Sequence, residues 1–135
     1  MNRHARHIIG LLSDLYEEKE LDYHLSDTET CRIRMNESLA HTLLTNLIKN
    51  AIIHSPDHGR VDIVIHSARI EIINDGNQAL DKQQIFKRFY KGNAGQKEST
   101  GLGLSIAQSI ANLYHIKLTY YHDGRHHFVL KIAKP

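Results

Sequence analysis

Three features of this sequence have the means to do chemistry: a pair of carboxamides, a glycine pair at the mouth of a helix, and an Asn-Asp-Gly turn. Asn46 and Asn50 are four residues apart in "MNESLAHTLLTNLIKNAIIH", so on a helix they lie one above the other. At about 100° per residue, Leu39, Leu43, Leu44, Leu47, Ile48, Ala51 and Ile52 form one broad apolar arc, with the two asparagines at its edge. A half-buried carboxamide needs partners. Taken singly, each asparagine is most simply a satisfied structural residue. His54 continues the same ridge, however, and three polar groups in a line point to a lined pocket.

The second feature is "STGLGLSIAQSIANLY", residues 99 to 114. Ser99 and Thr100 precede Gly101, Leu102, Gly103 and Leu104, and an apolar-periodic helix follows at once. A helix N-terminus leaves backbone N–H groups unpaired and carries partial positive charge. Glycine lets an anion come close to that backbone. Lys87, Arg88, Lys91 and Lys97 lie just upstream. Basic residues running into a glycine-rich helix start make a polyphosphate site, although a lone Gly-x-Gly carries little by itself. The third feature, "NDGNQ" at 74–78, is ordinary turn chemistry taken alone.

The elements that must position these residues follow from periodicity. Residues 4 to 19 carry Ile8, Ile9, Leu11, Leu12 and Leu15, the pattern of an amphipathic helix. Strands are predicted at 21–26 and 30–35. The central helix takes Asn36 as its N-cap and stops at Ser55-Pro56. Residues 60–66 and 69–74 alternate as a hairpin about Ser67-Ala68. A short helical piece at 81–89 precedes a polar segment, 91–100, read as a mobile loop. The glycine-led helix comes next. Two closing strands, 117–122 and 126–133, are joined at Asp123-Gly124. This order predicts an α+β, two-layer sandwich: three helices on one face of a mixed, mainly antiparallel sheet.

Composition narrows the function. The chain has 135 residues, 41% hydrophobic and 24% charged, the make-up of one globular domain. A net charge of +2 gives no ground for nucleic-acid binding or membrane contact. The single cysteine, Cys31, excludes an internal disulfide and reads as a small buried hydrophobe. No apolar run approaches the roughly 20 residues of a membrane span. The chain has eleven histidines, but none sits in a zinc-binding pattern.

Four segments in this order resemble the catalytic ATP-binding domain of bacterial sensor histidine kinases, members of the Bergerat-fold (GHKL) ATPases. "NLIKNAIIHS" (46–55) resembles the N box and "NDGNQ" the first glycine box. "IFKRFYKG" (85–92) resembles the F box, and "STGLGLSIAQSIA" the second glycine box. The resemblance spans essentially the whole chain and implies one catalytic domain over 1–135, with Mg²⁺ and ATP as cofactors. It implies that Asn50 is the metal ligand and that Asn46 and Asn50 are the catalytic pair. His54, Asn74 and Gly76 would line the nucleotide pocket, Asn74 facing the adenine. Arg88, Lys91, Ser99, Thr100, Gly101, Leu102, Gly103 and Leu104 would lie toward the phosphates, and 91–100 would be a lid.

Three departures stand out. Asn74 replaces the usual aspartate, Gln78 the box's second glycine, and Ile53 a frequent lysine. No segment resembles the acceptor-histidine motif of the family's two-helix dimerisation domain. The chain is therefore read as the cytoplasmic catalytic piece of a membrane-bound sensor. Its partners are that dimerisation domain and a response-regulator receiver domain. A free-standing anti-sigma-factor-type serine kinase and a degenerate nucleotide-binding module are the alternatives.

Overall fold

The apolar arc of the central segment forms the longest helix of the protein, and the other elements are arranged around it. A computed structural model describes residues 1–76, 79–87 and 102–132. Among the described residues three helices, α1 (Asn2–Leu15), α2 (Glu37–Ile53) and α3 (Gly103–Leu113), accompany five strands. The strands are β1 (Asp22–Ser26), β2 (Arg60–His66), β3 (Arg69–Asp75), β4 (Lys117–His122) and β5 (Arg125–Lys131). Their order in the sheet is β1-β2-β3-β5-β4. Only β1 and β2 run parallel, so the expected mixed, mainly antiparallel sheet is found. Helix α2 packs against α1, α3 and β3, and α3 against β4.

Leu43, Leu44, Leu47, Ile48 and Ile52 of α2 are fully buried. At about 1.5–3 kcal/mol each, such side chains outweigh any single polar contact at the helix edge, worth about 1 kcal/mol. Asn36 caps α2 as expected, its side chain accepting from the Leu39 N–H at 3.0 Å. At the other end the Lys19 ammonium donates to the Ile52 and Ile53 carbonyls, 2.9 Å each. A cation on the last carbonyls suits the negative end of the helix.

Cross-strand register divides the sheet into two faces. Ile63, Ile72, Phe128 and Tyr120 are successive neighbours across β2, β3, β5 and β4, and all four are buried. The opposite face is charged. Arg125 bridges Asp62 at 2.9 Å and Asp75 at 2.7 Å, and Arg69 holds Glu71 at 2.8 Å. His127 lies between the Glu71 and Asp123 carboxylates and stacks on Tyr121 at 4.3 Å.

Three predicted elements differ. Residues 30–35 form no strand. Their alternation of apolar and basic side chains mimics one, but the Cys31 N–H donates to the Asn2 side chain at 2.9 Å. The Asn2 amide in turn donates to the Glu29 carbonyl at 2.8 Å. The segment is thus fastened to the start of α1, with Cys31 buried. The piece beginning at 81 makes a single turn, with the Gln84 and Ile85 N–H groups donating to the Asp81 carbonyl and buried Ile85 as its anchor. Helix α1 also ends earlier than expected, at Leu15. A short 3₁₀ turn, Glu17–Lys19, follows it and carries Lys19 to the end of α2.

Glu71 gives this fold a pH dependence. Burial works against its charge, but hydrogen bonds from His127 and Tyr121 and the charges of His127 and Arg69 hold its carboxyl below the usual value. A depressed folded-state value contributes stability above the ordinary glutamate range and loses it as pH falls through the folded value. Glu71→Gln is expected to cost about 1–2 kcal/mol at pH 7. The gap in urea midpoints between variant and parent should narrow steadily below about pH 4. A gap independent of pH would show that the Glu71 charge contributes nothing.

Candidate functional site

Helix α2 carries Asn46 and Asn50 one turn apart, both half-buried at the edge of its apolar side. Asn46 faces the start of α3. A Cβ added to Gly103 would lie 3.5 Å from the Asn46 side-chain oxygen, so the carboxamide and the helix mouth are neighbours. Leu102 stands at the N-cap position of α3, and its own apolar side chain makes no capping hydrogen bond. Ser105, in its first turn, instead uses its hydroxyl to donate back to the Leu102 carbonyl at 2.9 Å. Leu102, Gly103 and Leu104 are half-buried. A helix start beside a carboxamide is chemically suited to an anion.

Asn74 lies on the helix side of the sheet, paired with Val61 on β2 and His126 on β5. It is 1% exposed. Its amide donates to the Asp75 carbonyl at 3.1 Å, which turns the side-chain oxygen the other way. That oxygen is buried with no hydrogen-bond partner. An orphaned buried acceptor is costly, and an incoming N–H donor would satisfy it.

Gly76 is close to imidazoles from the β4–β5 hairpin. Its carbonyl accepts from His122 Nε2 at 2.7 Å, and a Cβ at Gly76 would fall 2.4 Å from His126 Nε2. The His126 ring occupies the space a side chain at 76 would need, so a Cβ there would have to displace it. Burial, reinforced by His122, His54 and His127, lowers the His126 pKa to about 4. The ring is therefore neutral at physiological pH. His54 forms the C-cap of α2, and burial together with Lys19 lowers its pKa.

The structure thus brings Asn46 to Gly103, and places Gly76 and Asn74 against the His122–His126 pair. Ile53, which stands where a lysine is frequent, is buried in the core. Arg88, Lys91, Ser99, Thr100, Gly101, Gln78 and the expected lid at 91–100 lie outside the described residues. Sequence reading missed Tyr120, His122 and His126 as contributors. The only signal for them was register: a hairpin closed at Asp123-Gly124 sets His122 opposite His126. Among the described residues, no group of three His, Cys, Asp or Glu side chains could hold a metal ion. A separate cleft of about 610 Å³, lined by Arg3, Arg6, Arg32 and Met35 among others, contains none of these residues.

Comparison with known proteins follows the same lines. Residues 35–134 match the family described as histidine kinase-, DNA gyrase B- and HSP90-like ATPases. The heme sensor protein HssS of Staphylococcus epidermidis is 37% identical over 121 residues, covering 86% of this chain and 26% of HssS. The chain therefore spans about a quarter of that relative's length. The catalytic domain of histidine kinase ThkA superposes with a TM-score of 0.84 at 24% identity, covering 99% of this chain and 92% of that one. ThkA in complex with the response regulator TrrA gives 0.81 at 23% identity, covering 100% of this chain and 40% of that one.

The contact at Gly76 can be tested in isolation. Gly76→Ala is expected to destabilise the protein by about 1–3 kcal/mol by overpacking. His126→Ala in the same chain should recover part of that loss. A double-mutant cycle in thermal melts with no coupling between the two positions would mean that the ring does not fill the space.

Proposed function

The chain belongs to the family of histidine kinase-, DNA gyrase B- and HSP90-like ATPases, and on that premise we propose that it binds Mg²⁺ and ATP and donates the γ-phosphoryl group to a histidine on a separate dimerisation domain. The observation that carries this reading is the meeting of Asn46 with Gly103 at the start of α3. The unpartnered oxygen of Asn74 supports it. In this reading Asn74 accepts a hydrogen bond from the adenine amino group, without the charge assistance an aspartate would give. The backbone N–H groups at the start of α3 receive phosphate oxygens. Arg88, Lys91, Ser99, Thr100 and Gly101 join them on the strength of the sequence resemblance.

The donor chemistry also fits the metal. Mg²⁺ prefers hard oxygen ligands and takes few from protein, and the side-chain oxygen of Asn50 would hold it, with Asn46 one turn away. The ion would neutralise phosphate charge. Catalysis by this chain's own residues is then positioning and charge complementarity rather than proton transfer. The chain acts as a single catalytic domain within a two-component sensor, on the cytoplasmic side of the membrane. Among the described residues no helix is long and apolar enough to cross one. The phosphoryl group would pass from the acceptor histidine to a response-regulator receiver domain. That final partner draws support from the ThkA–TrrA complex.

Incubation with γ-labelled ATP is expected to leave this chain unlabelled. Adding the sensor's dimerisation domain in trans should place acid-labile label on that domain. Asn50→Ala should reduce the labelling at least about tenfold, as expected when the side chain that would hold the metal ion is lost. Acid-labile label on this chain alone would contradict the division of labour. Acid-stable label on a partner's serine would favour an anti-sigma-factor-type kinase.

A further inference from the structure

Gly76, the last residue of the Asn-Asp-Gly turn, and Leu80, four residues on, are both held by the β4–β5 hairpin, forty or more residues away in sequence. The Leu80 N–H donates to the Tyr120 hydroxyl at 2.9 Å. That hydroxyl must then place its own hydrogen elsewhere, and His126 Nδ1 lies 2.8 Å away as the acceptor. His126 therefore carries its proton on Nε2, the atom facing Gly76. His122 donates from Nε2 to the Gly76 carbonyl at 2.7 Å and accepts from the Gly124 N–H at 3.5 Å. Backbone partners thus select the tautomers of both imidazoles. The rings lie 4.9 Å apart, and His126 stacks on Tyr120 at 5.8 Å.

We propose that Tyr120, His122 and His126 are positioning residues for base recognition: the hairpin fastens Gly76 and Leu80 and so fixes where Asn74 presents its side-chain oxygen. The inference rests on the adenine-nucleotide reading given above. Its geometric basis is separate. Among the described residues, the side chain of Asn74 has one hydrogen-bond partner, the neighbouring Asp75 carbonyl. Its aim depends on the strand end and turn that carry it, and on His126, its cross-strand neighbour. Gly76 and Leu80 could have left their polar groups to water. Long-range side-chain bonds hold them instead, and such bonds limit the motion of a recognition element before ligand arrives.

The test compares ATP with inosine triphosphate, which has the same sugar and phosphates but no amino group to meet Asn74. Titrations with Mg²⁺ present would use the parent chain, Tyr120→Phe, His122→Ala and His122→Gln. The parent should prefer ATP. Tyr120→Phe and His122→Ala should each reduce that preference roughly 3- to 10-fold, the worth of a hydrogen bond, while inosine triphosphate binds as before. His122→Gln, whose amide can still donate to the Gly76 carbonyl, should restore most of the preference. Thermal melts confirm that each variant is folded. An unchanged ATP preference in both variants, or equal loss for the two nucleotides, would overturn the positioning role. A parent chain that binds neither nucleotide, or both equally, would overturn the reading of Asn74 and the positioning role with it.

Discussion

The burial of α2 on the sheet is the constraint on which the rest of the structure depends. Its apolar side is enclosed by α1, α3 and β3, and Leu43, Leu44, Leu47, Ile48 and Ile52 have no exposed surface. Turning the helix by a fraction of a turn would expose several of these at once. Asn46 and Asn50 ride on the same helix, so the hydrophobic core sets their position, and no polar contact of their own is needed. The end caps, Asn36 at one end and Lys19 at the other, fix the helix along its axis. The carboxamides are therefore held in place before any ligand arrives.

The sheet shows where the core yields to polar chemistry. Through the middle rows its helix side is apolar, as Ile63, Ile72, Phe128 and Tyr120 show. At the end nearest the Asn-Asp-Gly turn it carries Asn74 and His126 instead, both buried. Every polar side-chain atom there must be paired or left at a cost. Tyr120 and His126 satisfy one another, and His122 satisfies Gly76. Among the described residues, the Asn74 oxygen is buried with no partner. An unpaired buried acceptor is what a donor-bearing base would complete.

Much of this was legible in the sequence, and the physical reasons are specific. The α2 arc and the β2–β3 hairpin rest on periodicities that solvent exposure enforces, and both are found. The motif order also led to the family. Residues 30–35 misled because "TCRIRM" alternates like a strand, whereas Asn2 takes up its backbone through a contact twenty-nine residues distant. The hairpin imidazoles were invisible for a related reason. His126 matters through what lies across the strand from it, and register is not a local property of sequence. Gly76 shows both sides: sequence marks the glycine, but only the structure shows that the His126 ring fills the space beside it.

The central claim is that α2, the start of α3 and the end of β3 form one nucleotide site. The most direct measurement is the NMR shift of the side-chain amides of Asn46, Asn50 and Asn74 as Mg·ATP is added to the labelled chain. The account predicts that all three move together, with one common dissociation constant, and that the Gly103 and Leu104 backbone amides move with them. Saturable binding that leaves the three carboxamides unmoved, with shifts confined to the cleft near Arg3 and Arg32, would contradict it.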